Sequence, residues 1–354
     1  MGAASEPLRP ALEMGSLLEL PDAELIARAD SECRAFLGAG VFLRGLIEAT
    51  NVCQRNCLYC GIRRGNGAVR RYRLSDEEIL LSARRGYERG LRSFVLQGGE
   101  DPEFGAERLA RLAERFKESF GEKAALTLSF GTLRREDYAL LRSAGVDRYL
   151  LRFETSDEAL HRRLRGSPLA ERLRALEDLR GLGFEVGTGF MTGLPGSGPE
   201  TLAADIDLCS ALAPDMVGVG PFIPHPGTPL GAEKGAGLAP ALRAVALLRL
   251  ALPLANIPAT TAAGSIAADG RERMLAAGAN VLMPNIGPVE RKKDYELYPG
   301  KVCLEEDGLD CLGCLAGRVL SIGKFIDLAR GDARSYAPDP RLKEAVPERK
   351  AATC

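Results

Sequence analysis

In the stretch Arg148-Tyr149-Leu150-Leu151-Arg152-Phe153-Glu154, charged and apolar residues alternate. The period of two of an extended strand puts Arg148, Leu150, Arg152 and Glu154 on one face and Tyr149, Leu151 and Phe153 on the other. Along the chain, short apolar stretches at 44–50, 92–97, 124–130, 147–153, 185–191, 215–219, 257–261 and 279–283 alternate with helical patterns at 75–89, 105–119, 135–144, 170–182, 199–212, 239–252 and 270–277. That alternation is the pattern of parallel βα units, and eight strands predict an α/β chain closed into a (β/α)8 TIM barrel. In a barrel the apolar face of each strand meets the surrounding helices, so the two arginines and the glutamate point inward. The same alternation turns Ser93 and Gln97 inward on the second strand, and Thr127 and Ser129 on the third. Gly187 and Gly189 share a face with Met191, and Gly218 and Gly220 share one with Met216. Bulky side chains normally fill an eight-stranded barrel. A lumen this polar and this thinly filled predicts an internal cavity for an anionic small molecule; pairing of Arg148 and Arg152 with barrel carboxylates is the plainer alternative.

The composition bounds the function. The chain has 354 residues, 45% hydrophobic and 27% charged, with 47 basic against 48 acidic residues and a formal net charge of −1. So balanced a total gives no reason to expect nucleic acid or an anionic membrane as a partner. Apolar runs such as Ala244 to Leu254 are interrupted by Arg249 and Pro253, far short of the ~18 apolar residues of a membrane span. Met1 to Pro10 lacks the basic start and apolar run of a secretory signal, so a cytoplasmic location is expected. Pro21 to Leu37 reads as an amphipathic helix. The expected organisation is a helical lead-in over 1–40, the barrel over 41–300 and a C-terminal extension over 301–354.

Nine cysteines are the unusual part of this composition. An odd number without an export signal makes a disulfide framework a poor explanation. Six fall in two tight groups, while Cys33, Cys209 and Cys354 stand apart and read as small buried hydrophobes. Cys53, Cys57 and Cys60 give C-x3-C-x2-C within Asn51-Val52-Cys53-Gln54-Arg55-Asn56-Cys57-Leu58-Tyr59-Cys60-Gly61. The segment falls just past the first strand, at the end of a barrel where catalytic residues gather. Three thiolates so close together suit a cubane iron–sulfur cluster, and three ligands on four irons leave one iron open. A structural zinc site would want a fourth cysteine or histidine nearby. The two histidines, His161 and His225, are both distant in sequence.

C-x3-C-x2-C with Tyr59 before the last cysteine, following the first strand of a barrel, resembles the radical S-adenosylmethionine (SAM) superfamily. The resemblance implies a [4Fe-4S] cluster on Cys53, Cys57 and Cys60 whose open iron chelates the amino and carboxylate groups of S-adenosyl-L-methionine. An electron from a low-potential donor would then cleave the sulfonium and yield a 5′-deoxyadenosyl radical. Gly98-Gly99-Glu100-Asp101, after the second strand, looks like the family's GGE motif, which receives the methionine ammonium; two glycines let backbone carbonyls approach closely. By the same resemblance Glu154 holds the ribose and Arg172 the methionine carboxylate. Gln97, Thr127 and Ser129 on neighbouring strands, and Tyr59 beside the cluster, complete the implied cofactor site.

Longer strings narrow the family. NVCQRNCLYCGIRR (51–64), VLQGGEDP (95–102), DRYLLRFET (147–155), DMVGVGPFIPHPGTPL (215–230), GANVLMPN (278–285) and LYPGK (297–301) look like the HydE type of [FeFe]-hydrogenase maturase. The likeness covers roughly residues 40 to 325 and implies a part in building the diiron subcluster of the hydrogenase. The implied substrate is an iron–cysteine species carrying carbon monoxide and cyanide, the product of a HydG-type tyrosine lyase. The radical would attack the cysteine sulfur, and the reworked unit would pass to a HydF-type scaffold GTPase. Arg148 and Arg152 would clamp a carboxylate or the cyanide nitrogens through their guanidinium forks. Thr260 and Thr261 would supply hydroxyls and backbone N–H groups, Met216 and Met283 soft walls, and Tyr295 and Tyr298 part of the cavity face. His225, between Pro224 and Pro226, is expected to serve structure.

Cys303, Cys311 and Cys314 form C-x7-C-x2-C. In the family this spacing matches an auxiliary [2Fe-2S] or [4Fe-4S] site; from the residues alone, a zinc ion completed by water stays open. Two positions depart from the family, which often has serine at Gly98 and histidine at Phe153. Methylornithine synthase and a sulfur-inserting enzyme akin to biotin synthase are the rivals among radical enzymes, and an iron–sulfur carrier is the rival from another class. The Cys303 group, the Thr260-Thr261 pair and the PFIPHP string favour the maturase. A carrier would need neither the GGED segment nor inward arginines.

Overall fold

The computed structural model describes residues 14–336. Its strands are β1 (Gly40–Leu43), β2 (Gly45–Thr50), β3 (Ser93–Gly98), β4 (Ala125–Ser129), β5 (Arg148–Leu150), β6 (Glu185–Thr188), β7 (Met191–Thr192), β8 (Met216–Val217), β9 (Gly220–Pro221), β10 (Val281–Leu282) and β11 (Phe325–Asp327). One parallel sheet runs β2-β3-β4-β5-β6-β8. Parallel bridges from Met216 to Asn256, from Pro258 to Val281 and from Asn285 back to Leu46 carry the ring round to β2. The expected (β/α)8 barrel is therefore the fold. Its seventh strand, predicted at 257–261, is reduced to these bridges. Pro258 has no N–H for a ladder, and the chain enters the helix Thr261–Ile266 directly afterwards.

Every predicted helical pattern is a helix, from Asp22–Leu37 through Asp76–Glu88 to Gly270–Ala276. Ser75 starts the second of these with a reciprocal capping box to Glu78. Helix Glu158–Arg165 is the arginine-rich helix that holds His161, and helix Leu312–Ser321 has no counterpart in the sequence reading. The first starts on Asp157, whose carboxylate accepts the Leu160 N–H, and stops at Gly166 in the left-handed conformation. No helix among the described residues is long and apolar enough to cross a membrane. Cys354 and the Met1 to Pro10 segment lie outside the described residues.

The outward face of β5 is as the alternation predicts. Tyr149 meets Tyr138 edge-on at 5.0 Å, and Phe153 stacks on Phe190 at 5.9 Å. The inward face divides by depth. Arg148, 2% exposed, donates Nε to Glu185 at 2.6 Å, Nη1 to Ser93 Oγ at 2.7 Å and Nη2 to Asp332. Arg44 lies beside it, fully buried, donating to Met216 Sδ at 3.0 Å and to the Gly331 carbonyl at 3.1 Å. Ala333 N–H reaches Glu185 Oε1 at 3.2 Å. After β11 pairs with β1, the chain thus crosses the N-terminal end of the barrel and closes its floor. Two expectations are corrected here: Arg148 and Met216 face inward but belong to this floor and not to the cavity above it. Arg152 lies four residues further along the chain, beyond the end of β5, which is up to about 13 Å along extended backbone at ~3.3 Å per residue.

Candidate active site

A cavity of about 340 Å³ opens at the C-terminal ends of the strands. That is within the usual size range of small-molecule sites. Cys53, Cys57 and Cys60 line one side of it, with Tyr59 between them. Their loop leaves β2 at Thr50 and is held by backbone bonds to three separate elements. Gln54 N–H donates to the Glu100 carbonyl at 2.9 Å, Leu58 N–H to Leu164 at 2.9 Å and Gly61 N–H to Leu297 at 2.9 Å. The Leu164 carbonyl is one of the orphan acceptors at a helix C-terminus, so helix Glu158–Arg165 anchors the cysteine loop. Arg71 adds a clamp, donating to the Asn51, Ile62 and Arg63 carbonyls at 2.6–2.8 Å.

Gly98 and Gly99 stand against this loop. A Cβ on Gly99 would sit 2.2 Å from the Val52 carbonyl oxygen and 2.7 Å from Cys53 Cβ, so only glycine lets this turn pack against the cysteine loop. Burial pushes the Cys53 and Cys57 thiols above their ordinary range and Cys60 up to about 12. Thiolates form in such a place only with a compensating cation, which cluster iron would supply. Three thiols along one cavity wall suit a multi-iron cluster, where each cysteine takes its own iron. The donor set therefore fits a [4Fe-4S] group.

Next to the thiols, Glu100 is ringed by guanidinium groups. Arg55 Nε donates to it at 2.6 Å, Arg165 Nη2 at 3.2 Å and Arg172 Nη2 at 3.5 Å. Arg165 also donates to the Tyr59 hydroxyl at 3.0 Å and lies 4.0 Å from Glu154. Sequence reasoning missed it, although Gly166 marks it as the last helical residue, with its side chain free to turn into the barrel mouth. Glu154 has φ +72, a left-handed backbone that costs a non-glycine residue free energy and turns its carboxylate toward Arg152, 3.0 Å away. Arg165→Met, which removes the bonds to Glu100 and the Tyr59 hydroxyl, is expected to weaken ~10- to 100-fold the binding of the SAM that the sequence resemblance implies for this cavity. Calorimetric titration of the cluster-loaded protein checks it; an unchanged Kd would reduce Arg165 to a loop anchor.

The remaining predicted residues separate cleanly. Gln97 and Ser129 line the cavity, as do Thr260, Thr261 and Met283. Tyr295 and Tyr298 close its side beyond β10. Thr127 lies deeper, 1% exposed, with a hydroxyl that has no partner. Arg152 lines the cavity and keeps its Nε–H buried and unpartnered, while Nη2 donates to the Phe190 carbonyl at 2.8 Å. In all, five cationic side chains (Arg55, Arg152, Arg165, Arg172 and Lys301) face three carboxylates (Glu48, Glu100 and Glu154), so the wall favours an anionic guest. Arg55, Glu48 and Lys301 are, with Arg165, charged cavity residues that the sequence reading missed.

His225 is nearly buried, its Nδ1 accepting the Gly227 N–H at 3.0 Å inside the proline-bounded turn. Cys33 and Cys209 are buried thiols. Cys303, Cys311 and Cys314 lie outside the cavity lining; Cys303 has φ +60, and Cys311 Sγ is 3.0 Å from Glu306 Oε2.

Known proteins resemble this chain in sequence and in fold. Residues 47–209 match the family model described as the radical SAM superfamily. The chain is 44% identical over 301 residues, 85% of its own length and 86% of the relative's, to the [FeFe] hydrogenase maturase subunit HydE of Thermotoga maritima. It is 29% identical over 299 residues, 83% of each chain, to the 3-methylornithine synthase of Methanosarcina acetivorans. Among solved structures, methylornithine synthase superposes with a TM-score of 0.78 at 27% identity, over 90% of this chain and 94% of that one. The hydrogenase maturase HydG from Carboxydothermus hydrogenoformans gives 0.74 at 21% identity, over 90% and 76%, which speaks for the fold alone.

Proposed function

Because the chain belongs to the radical SAM superfamily, as an enzyme of the HydE type that acts in [FeFe]-hydrogenase maturation, we propose that its barrel cavity is where SAM is cleaved and an iron-bound cysteine is attacked. The observation that carries this reading is the meeting of three thiols, the Gly98-Gly99-Glu100 cradle and an orphaned Arg152 N–H in one cavity. When bound, the [4Fe-4S] cluster supplies one electron to the SAM sulfonium, and a 5′-deoxyadenosyl radical is the reactive species. The substrate is an iron–cysteine complex with carbon monoxide and cyanide from a HydG-type tyrosine lyase; a HydF-type scaffold GTPase receives the product, and a low-potential protein supplies the electron.

The chain's own residues bind, orient and exclude water. Glu100 and its three arginines fix the methionine end of SAM, and Glu154 accepts from the ribose hydroxyls. Arg152 directs Nε–H at an anionic group, a carboxylate or a cyanide nitrogen. Thr260 and Thr261 add hydroxyl donors, and Met283, Tyr295 and Tyr298 keep the radical away from solvent. Anaerobic reconstitution with iron and sulfide, then reductant and SAM, tests the reading. Formation of 5′-deoxyadenosine is expected; its absence would leave an iron–sulfur carrier, and turnover that depends on lysine would favour the methylornithine synthase reading.

The second cysteine group is assigned an auxiliary cluster without a part in SAM cleavage. Replacing Cys303, Cys311 and Cys314 together by serine is expected to remove the iron held there and to leave 5′-deoxyadenosine formation within about twofold, since separate sites act independently. Loss of cleavage on the scale of a Cys57 variant would overturn that separation.

A further inference from the structure

The cavity wall carries a charged pair that SAM cleavage does not use. Glu48, on β2, and Lys301, in the loop beyond β10, come from opposite ends of the barrel sequence. Lys301 Nζ lies 2.5 and 2.6 Å from the two Glu48 oxygens, and Asn285 Nδ2 donates to Oε2 at 2.7 Å. The Tyr295 carbonyl takes the third ammonium hydrogen at 3.2 Å, and the Tyr295 ring centre is 5.2 Å away. The Glu48 side chain is 5% exposed and that of Lys301 9%.

Stability is a weak reason for such a pair, because a buried ion pair can usually be replaced by apolar side chains of similar volume without loss. Its place beside the cavity gives a better one. A carboxylate has about four acceptor sites. Glu48 uses three, two for Lys301 and one for Asn285, which leaves one on Oε1. On Lys301 the longest contact is the one to Tyr295, which an incoming anion would replace most easily. An acceptor and a donor of opposite charge, fixed side by side, complement a zwitterion.

We propose that Glu48 and Lys301 recognise the α-ammonium and the α-carboxylate of an amino-acid moiety in the substrate. The inference rests on the iron–cysteine reading above, in which the cysteine ligand carries both groups. Arg152 stands on β5's extension, three strands round the ring from β2, and is left free for the iron-bound ligands. The amino-acid end and the iron end of the substrate thereby have separate recognition.

The test uses thioether probes, which do not reduce the cluster, on the reconstituted, SAM-loaded protein. S-methyl-L-cysteine, S-methylcysteamine (no carboxylate) and 3-(methylthio)propionate (no ammonium) are titrated by calorimetry. S-methyl-L-cysteine is expected to bind at least ~10-fold tighter than either analogue. Lys301→Met should lower it to the level of S-methylcysteamine, and Glu48→Gln to the level of 3-(methylthio)propionate. If either variant melts below the assay temperature, Lys301→Arg and Glu48→Asp, which displace the charge, should each weaken S-methyl-L-cysteine and spare the analogue that lacks the matching group. No binding of S-methyl-L-cysteine, equal binding of all three probes, or the same preference in every variant overturns the proposal. Release of 5′-deoxyadenosine from SAM is measured in the same wild-type samples. Cleavage without probe discrimination sinks this inference alone, whereas no cleavage sinks the enzyme reading.

Discussion

Cys57→Ala should abolish 5′-deoxyadenosine formation, lowering it at least ~10³-fold, equivalent to about 4 kcal/mol in activation free energy. Cys57 is the most buried of the three cavity thiols, 6% exposed, and stands in the middle of the motif. On the proposed reading its removal would leave two ligands from the chain, and the cluster would be lost with the electron it supplies. The fold should survive. The loop is held by the Leu58 to Leu164 and Gly61 to Leu297 backbone bonds and by the Arg71 clamp, none of which involves the thiol. Iron content and the spectrum of the reduced cluster report the loss directly, and circular dichroism reports the fold. Wild-type protein stripped by a chelator should show the same loss and regain activity on reconstitution, while the variant should not. A folded Cys57→Ala protein that still released a tenth of the wild-type product would place the cluster elsewhere.

Some of this site is legible in the sequence for a definable reason. A period of two names the face of a strand, and it puts Arg152, Glu154, Gln97 and Ser129 correctly on the cavity side. It says nothing of depth along the barrel axis. Arg148 and Met216 share that face yet belong to the floor, because the C-terminal segment that supplies Asp332 and the Gly331 carbonyl is far off in the chain and carries no pattern. Lys301 was illegible for a related cause, since it lies in irregular backbone beyond β10 and reaches Glu48 across 253 residues. Arg165 is one of several arginines in a short helix, and no sequence pattern separates it from the others; Gly166, which ends that helix in the left-handed conformation, is the local mark of its position at the barrel mouth. The cysteine motif was readable because ligand spacing is a local constraint.

The depth argument carries the second large effect. Arg148→Ala is expected to act on stability, at about 3–5 kcal/mol, the usual cost of removing one partner of a buried ion pair. Glu185 is 2% exposed and would keep Arg44, 3.7 Å away, as its cation and the Ala333 N–H as its other partner, while Asp332 would lose its contact to the barrel interior. At roughly 2–4 °C per kcal/mol for a large domain, the apparent Tm should fall by about 6–20 °C at a fixed scan rate. The alternative is a substrate-binding arginine, whose loss would leave Tm in place and raise KM. Arg148→Met combined with Glu185→Gln separates the two. It removes one charge of each sign, leaving Arg44 and Asp332 to balance, and should recover at least half of the lost Tm. If Arg148→Ala melted with the wild type and lost substrate affinity alone, Arg148 would belong to the cavity and the floor would be held by the remaining contacts of the C-terminal segment.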